Sequence, residues 1–263
     1  MRKLVLAVIA ALLAPLVLLP GTAQAIQFGT PDGDGHPYVG LVVLYDDGVP
    51  QWRCTGALIA PTVFLTAGHC TEAPADEARI WFSPGPVTVE SGYPNTGYDV
   101  AGTPVPEPRY AGLTLPATYD IGVVTLDEPF QMERYAKLPT AGMLDKLASK
   151  RGQQDVTMTV VGYGLQSVKP VESSIRERRV ATTKVVQLKN ALTDGYNVRL
   201  SSNPGNWSGG TCFGDSGGPV LYNDTDIVVA VNSFVLNANC KGSGYGYRVD
   251  TAESLRFVGQ FLS

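Results

Sequence analysis

The sequence from residue 26 onward predicts an all-β protein, built as a sandwich or a barrel. Three observations carry that expectation. Short runs of aliphatic and β-branched residues recur along the chain, Gly and Pro interrupt them throughout (29 and 19 of 263 residues), and helical periodicity is scarce.

Taken in order, the chain opens with Arg2 and Lys3, an apolar run from Leu4 to Leu19, and Ala23-Gln24-Ala25, the pattern of an export signal with a small-residue cleavage site. The apolar run is shorter than the roughly 20 residues a spanning helix needs, and no basic stop-transfer cluster follows it. A secreted, extracellular protein without a membrane anchor is expected. Strand-type runs then follow at Val39-Gly40-Leu41-Val42-Val43-Leu44, Ile121-Gly122-Val123-Val124, Val156 to Val161, and Ile227 to Val231. Ser83 to Pro86, Gly92 to Gly97 and Pro104 to Pro108 read as loops, the last because its prolines cannot donate to a ladder. The polar segment Thr140 to Gln154 reads as a connector between two halves. Leu255, Val258, Phe261 and Leu262 fall on one helical face, so 251–262 is expected to form a terminal amphipathic helix.

Composition excludes some functions. The chain carries 24 acidic and 20 basic residues, and Arg2 and Lys3 leave with the leader. There is no basic surplus to neutralise phosphates, so nucleic acid is not an expected partner. Four cysteines, Cys54, Cys70, Cys212 and Cys240, in an exported chain favour disulfides over a metal cluster. Three pairings are open. The local one, closing two short loops, would stabilise by roughly 3 kcal/mol per bridge in the loop-entropy picture.

Three segments carry chemistry together: Thr66-Ala67-Gly68-His69-Cys70, Tyr119-Asp120-Ile121-Gly122, and Gly214-Asp215-Ser216-Gly217-Gly218-Pro219. A serine hydroxyl is a weak nucleophile and needs a base within reach. Imidazole titrates in the right range, and a carboxylate behind it fixes the tautomer and stabilises the imidazolium. Asp99 and Asp127 lie in turn-type contexts usual for solvated carboxylates, and His36 has no comparable surroundings. The order His, Asp, Ser does not fit the Ser, acid, His order of α/β-hydrolases, and no helix is apparent after Ser216 as their nucleophile elbow requires.

Together the three segments resemble the active-site segments of the trypsin/chymotrypsin family, in a secreted, bacterial-type member. The resemblance covers nearly all of residues 26–262 and implies two six-stranded antiparallel β-barrels with a C-terminal helix. The first barrel would span roughly 26–139 and the second roughly 152–250. It implies a serine endopeptidase with His69, Asp120 and Ser216 as its triad and the Gly214 and Ser216 amides as oxyanion donors. Cys54 with Cys70 and Cys212 with Cys240 match the family's disulfides. Gly162-Tyr163-Gly164 resembles a Gly-Trp-Gly segment, and Ser233-Phe234-Val235 a substrate-pairing Ser-Trp-Gly segment. Gly210 stands at the family's pocket base, and Val235 stands where many members carry glycine. An uncharged, small to medium apolar residue before the cut bond is therefore expected. Ile26-Gln27-Phe28-Gly29 partly matches the family's activating N-terminus, implying an ion pair between the Ile26 ammonium and Asp215. Polypeptide substrates, proteinaceous inhibitors and a monomeric state follow from the resemblance. No motif points to a metal or an organic cofactor, and this hydrolysis requires none.

Overall fold

A computed structural model of the chain describes residues 26, 28–148, 156–168, 172–203 and 208–262. The leader and the second half of the expected connector lie outside the described residues. No helix among the described residues is long and apolar enough to cross a membrane.

The chain forms two closed six-stranded antiparallel barrels. In the first, β2 (Val39–Asp46), β3 (Val49–Ala60), β4 (Val63–Thr66), β5 (Glu77–Trp81), β6 (Val100–Pro106) and β7 (Gly122–Leu126) close in the order β2-β3-β4-β7-β6-β5. In the second, β8 (Thr157–Gly162), β9 (Arg179–Gln187), β10 (Asn197–Ser202), β11 (Pro219–Tyr222), β12 (Val228–Val235) and β13 (Gly242–Arg248) run β9-β10-β13-β12-β11-β8, and β8 closes onto β9. Closure leaves no long hydrophobic edge, and each strand buries one face in its own barrel. The four runs singled out by composition coincide with β2, β7, β8 and β12, all largely buried.

Two expectations change. Pro104 and Pro106 lie within β6, not in a loop, and pair with Val124 and Gly122 of β7. The bonds to the β7 side use odd-numbered residues, with the Asp127 amide donating to Ala101 and the Glu107 amide to Ile121. The even-numbered positions face β5, whose pairing ends at Gly102, so each proline lacks a donor only where no partner stands. Second, the short strand β1 (Thr30–Pro31) pairs with β9, so this N-terminal segment joins the sheet of the second barrel although it precedes the first.

A fully buried guanidinium ties these parts together. The Arg178 Nε donates to Asp32 at 3.0 Å, and its terminal nitrogens donate to the carbonyls of Gly33, Val39 and Phe82. Asp32 in turn bonds His36, and burial of the carboxylate is offset by the hydrogen bond and charge of His36 and by Arg178, so its pKa falls. Removing one partner of such a buried pair typically costs about 3–5 kcal/mol. The terminal helix α3 (Ala252–Gly259), which follows α1 (Gly68–Thr71) and α2 (Asp145–Ala148) along the chain, is capped by Thr251, whose hydroxyl accepts from the Ser254 amide. Phe257 and Val258 of α3 share one apolar cluster with residues of both barrels, among them Val42, Leu65, Val161 and Val231.

Candidate active site

The short helix α1 (Gly68–Thr71) follows β4 and carries His69, anchored by the Cys54–Cys70 disulfide to β3. A Cβ at Gly68 would press on the Tyr110 ring at 3.0 Å, so any larger residue there would have to displace that ring. Asp120 ends the loop before β7 and is fully buried. Its Oδ1 accepts from the His69 backbone N–H at 2.8 Å, and its Oδ2 lies 2.9 Å from His69 Nδ1. Burial alone would lower the His69 pKa, but the Asp120 charge and hydrogen bond outweigh it and raise it above the ordinary 6.5. A third group completes this arrangement: the Ser233 hydroxyl on β12 donates to Asp120 Oδ2. The carboxylate of the first barrel is thus held partly by the second.

Ser216 lies in the turn between the Cys212–Cys240 disulfide and β11, and Thr55 of β3 grips that turn from the other barrel. The Thr55 hydroxyl donates to the Gly214 carbonyl and the Thr55 amide to the Ser216 carbonyl, both at 2.8 Å. Gly214 and Gly217 have φ of +94° and +77°, and at Gly217 a Cβ would sit 2.0 Å from the Thr66 hydroxyl. Only glycine fits both demands. The Phe213 carbonyl accepts from Leu165 and the Asp215 carbonyl from Gly218. Each trans peptide points its N–H opposite its C=O, so the Gly214 and Ser216 amides are turned away from those partners.

Asp215 is fully buried, its two oxygens accepting from the Gly164 and Cys212 amides at 2.8 and 2.9 Å. Desolvation pushes its pKa up to about 7, against those two bonds and the charge of Arg53. A Cβ at either Gly162 or Gly164 would strike this carboxylate, which explains the Gly-Tyr-Gly segment. Tyr163 between them reaches the first barrel, its hydroxyl donating to the Ser83 carbonyl.

His69 and Ser216 open onto one cleft of about 250 Å³, lined also by Leu113, Thr211, Cys212, Phe213, Asn232, Ser233, Phe234 and Val235. None of these residues is Asp, Glu, Lys or Arg. The structure therefore gathers His69, Asp120, Ser216, Ser233, Phe234 and Val235 at one place, and forms both disulfides matched by the resemblance. Phe234 stacks on Tyr245 with ring centroids 4.6 Å apart. Two residues are not brought there. Gly210 lies behind Thr211 in a tight crevice with Val160, Thr183 and Leu200, and a Cβ on it would overlap the Ser202 side chain, so Thr211 borders the cleft instead. Ile26 is buried in the second-barrel core with Leu144, Met158 and Val160, and no hydrogen bond or ion pair links it to Asp215 among the described residues. Asn232 is a cleft residue that the sequence reading passed over, since nothing marks it within an apolar run.

A family profile described as Trypsin matches residues 29–257. Brachyurin of Leptuca pugilator is 31% identical over 210 residues, covering 74% of this chain and 80% of that protein. Ovochymase of Halocynthia roretzi is 26% identical over 205 residues, 73% of this chain, but the chain spans only 12% of that protein's length. Both are animal proteins, so the bacterial-type expectation finds no support in them. Among solved structures, HL collagenase superposes with a TM-score of 0.69 over 89% of this chain and 97% of that one, and human heparin binding protein with 0.61 over 89% and 95%. Both are 18% identical and speak to the fold alone.

Proposed function

Because the chain belongs to the trypsin family, we propose that it is a secreted serine endopeptidase acting on polypeptides through an acyl-enzyme. The carrying observation is His69, whose Nδ1 is engaged by buried Asp120 while the residue borders the cleft it shares with Ser216. Nδ1 then keeps its proton against the carboxylate, leaving Nε2 as the base. His69 takes the Ser216 proton as Oγ attacks the carbonyl carbon, and the carbonyl oxygen gains the negative charge. The outward-turned Gly214 and Ser216 amides would hold that charge, a donor each worth about 3–4 kcal/mol in the transition state. The imidazolium next protonates the leaving amine as the C–N bond breaks, and water repeats the sequence to free the acid and Ser216.

The absence of charged side chains among the described residues of the cleft lining supports an uncharged, small to medium residue before the cut bond, since Lys or Arg would be desolvated without a partner. An N-terminus freed at Ile26 would supply the countercharge that buried Asp215 lacks.

A serine-directed phosphonylating agent tests the assignment. The folded protein is expected to take one label, on Ser216, and to lose it on His69→Ala; an unlabelled Ser216 in the wild type would leave a binding protein on a peptidase fold. The raised His69 pKa sets the acid limb of activity. The base works only when neutral, so kcat/KM is expected to climb with pH through a midpoint above 6.5, and Asp120→Asn should move the residual limb to lower pH. An unmoved limb would assign that titration to another group.

A further inference from the structure

Asn232 stands in the wall of the cleft, and only 3% of it is exposed. Its main chain is locked to the nucleophile turn: the Gly217 amide donates to the Asn232 carbonyl at 2.7 Å, and the Asn232 amide donates to the Gly218 carbonyl at 2.9 Å. The register of β12 against β13 shifts between Asn232 and Phe234, so Asn232 and Ser233 both border the cleft instead of alternating across the sheet. Its side chain has no such partners. Both Nδ2 and Oδ1 are buried and neither makes a hydrogen bond among the described residues.

That is an unfavourable way to fill a wall. A buried carboxamide left unpaired forfeits its hydration, whereas Leu at the same place would fill similar space without that loss. Other buried polar groups close to the site are engaged, Thr55 with Gly214, Ser233 with Asp120, and Asp215 with Gly164 and Cys212, although Arg53 Nε beside Gly214 is also unpaired among the described residues. Both atoms are closed to solvent, so the carboxamide meets a ligand by turning toward the cleft as it fills; its free donor and acceptor, one residue away from the strand's bond to Asp120, then match a ligand group that carries both.

We infer that Asn232 is a specificity-determining residue that hydrogen-bonds the side chain before the cut bond, so that the substrates are polypeptides cut after Gln or Asn. This rests on the peptidase reading above. A second carboxamide is the group that meets donor and acceptor at once, in a paired N–H···O and O···H–N arrangement. Serine or threonine can meet only one of the two at a time with good geometry. A carboxylate would accept from Nδ2 but face the Asn232 oxygen, with no cation among the described lining residues to offset its charge. The apolar walls at Cys212 and Val235 suit the methylene stem that carries the amide. Within the uncharged class, amide side chains therefore replace the purely apolar ones expected from the sequence.

The test is a panel of fluorogenic peptides that differ only in the residue before the scissile bond, run on the wild-type enzyme. Gln is compared with Met and Asn with Leu, pairs of similar size and shape. Each amide is expected to exceed its apolar counterpart in kcat/KM by about tenfold or more, the discrimination of a site whose polar groups go unpaired with the wrong substrate. Asn232→Leu is expected to bring both ratios to one or below. Equal or faster cleavage after Met and Leu by the wild type, or fastest cleavage after Ser or Thr, would overturn the inference, whatever the variant does. Phosphonylation of Ser216 separates the two readings: a labelled enzyme without amide preference refutes Asn232 alone, and an unlabelled one refutes the peptidase and this inference with it.

Discussion

Ser216→Ala and His69→Ala are each expected to lower kcat/KM on a peptide substrate by roughly 10⁴- to 10⁶-fold, and the double variant is expected to be no slower than the worse single one. The three groups act on one proton. Without the hydroxyl there is nothing for His69 to deprotonate, and without the imidazole the hydroxyl stays un-ionised, so the second loss removes nothing more. Asp120→Asn should cost about 10⁴-fold, because an amide in place of the carboxylate can donate to Nδ1 and reverse the imidazole tautomer. It also removes one of two accepting oxygens, the one that takes the Ser233 hydroxyl or the one that takes the His69 backbone N–H. The fold should survive in the Ser216 and His69 variants, since among the described residues neither side chain makes a hydrogen bond that joins the two barrels; thermal melts alongside the kinetics check this. Turnover by Ser216→Ala within tenfold of wild type would remove Ser216 from the mechanism.

Adding one Ala before Ile26 to a chain that otherwise begins there is expected to cost about 10²- to 10³-fold in activity, the range set by stranding one charge of a buried pair. The reasoning starts at Asp215. With two amide bonds and the charge of Arg53 insufficient to compensate for burial, its pKa lies near 7, raised from the ordinary 3.8. A carboxyl raised in this way favours the folded state below its unfolded pKa, and that contribution is lost as pH rises through about 7. An ammonium delivered to Asp215 would reverse the shift and hold the 214–216 backbone with its donors aimed at the oxyanion. Ile26 is already buried in a cluster with Met158 and Val160 of β8, the strand that leads into the Gly162 and Gly164 cradle of Asp215. The extended form should therefore lose stability as pH rises from 3.8 to about 7, relative to the form starting at Ile26, as read by urea midpoints. Equal activity and equal pH dependence of the two forms, with N-termini verified by mass spectrometry, would show that the turn is ordered without this pair.

Much of the site was legible because its chemistry is written in contiguous residues. The string from Gly214 to Pro219 contains Ser216, the proposed nucleophile, and the glycines its turn needs. The residues around His69 and Asp120 carry the flanking small side chains and the strand that follows. Ser233 was read as a cleft residue, but its bond to Asp120 joins positions 113 residues apart and depends on how β12 of one barrel meets the loop of the other. Gly210 was placed by counting back from Ser216, and the count could not show that Ser202 would occupy the space of its side chain. Asn232 was invisible for a related reason: an isolated polar residue in a strand becomes informative only when its partners, or their lack, are known.

The sequence by itself determined the all-β class, the strands at β2, β7, β8 and β12, the terminal helix and the His, Asp, Ser set, because each depends on local periodicity, turn chemistry or a short contiguous motif. Only the tertiary structure decided that β1 joins the second barrel, that two prolines sit harmlessly in β6, that Thr55 orders the nucleophile turn, and which residues line the cleft. Those outcomes depend on strand register and on the docking of two barrels, where a one-residue slip moves every side chain to the opposite face.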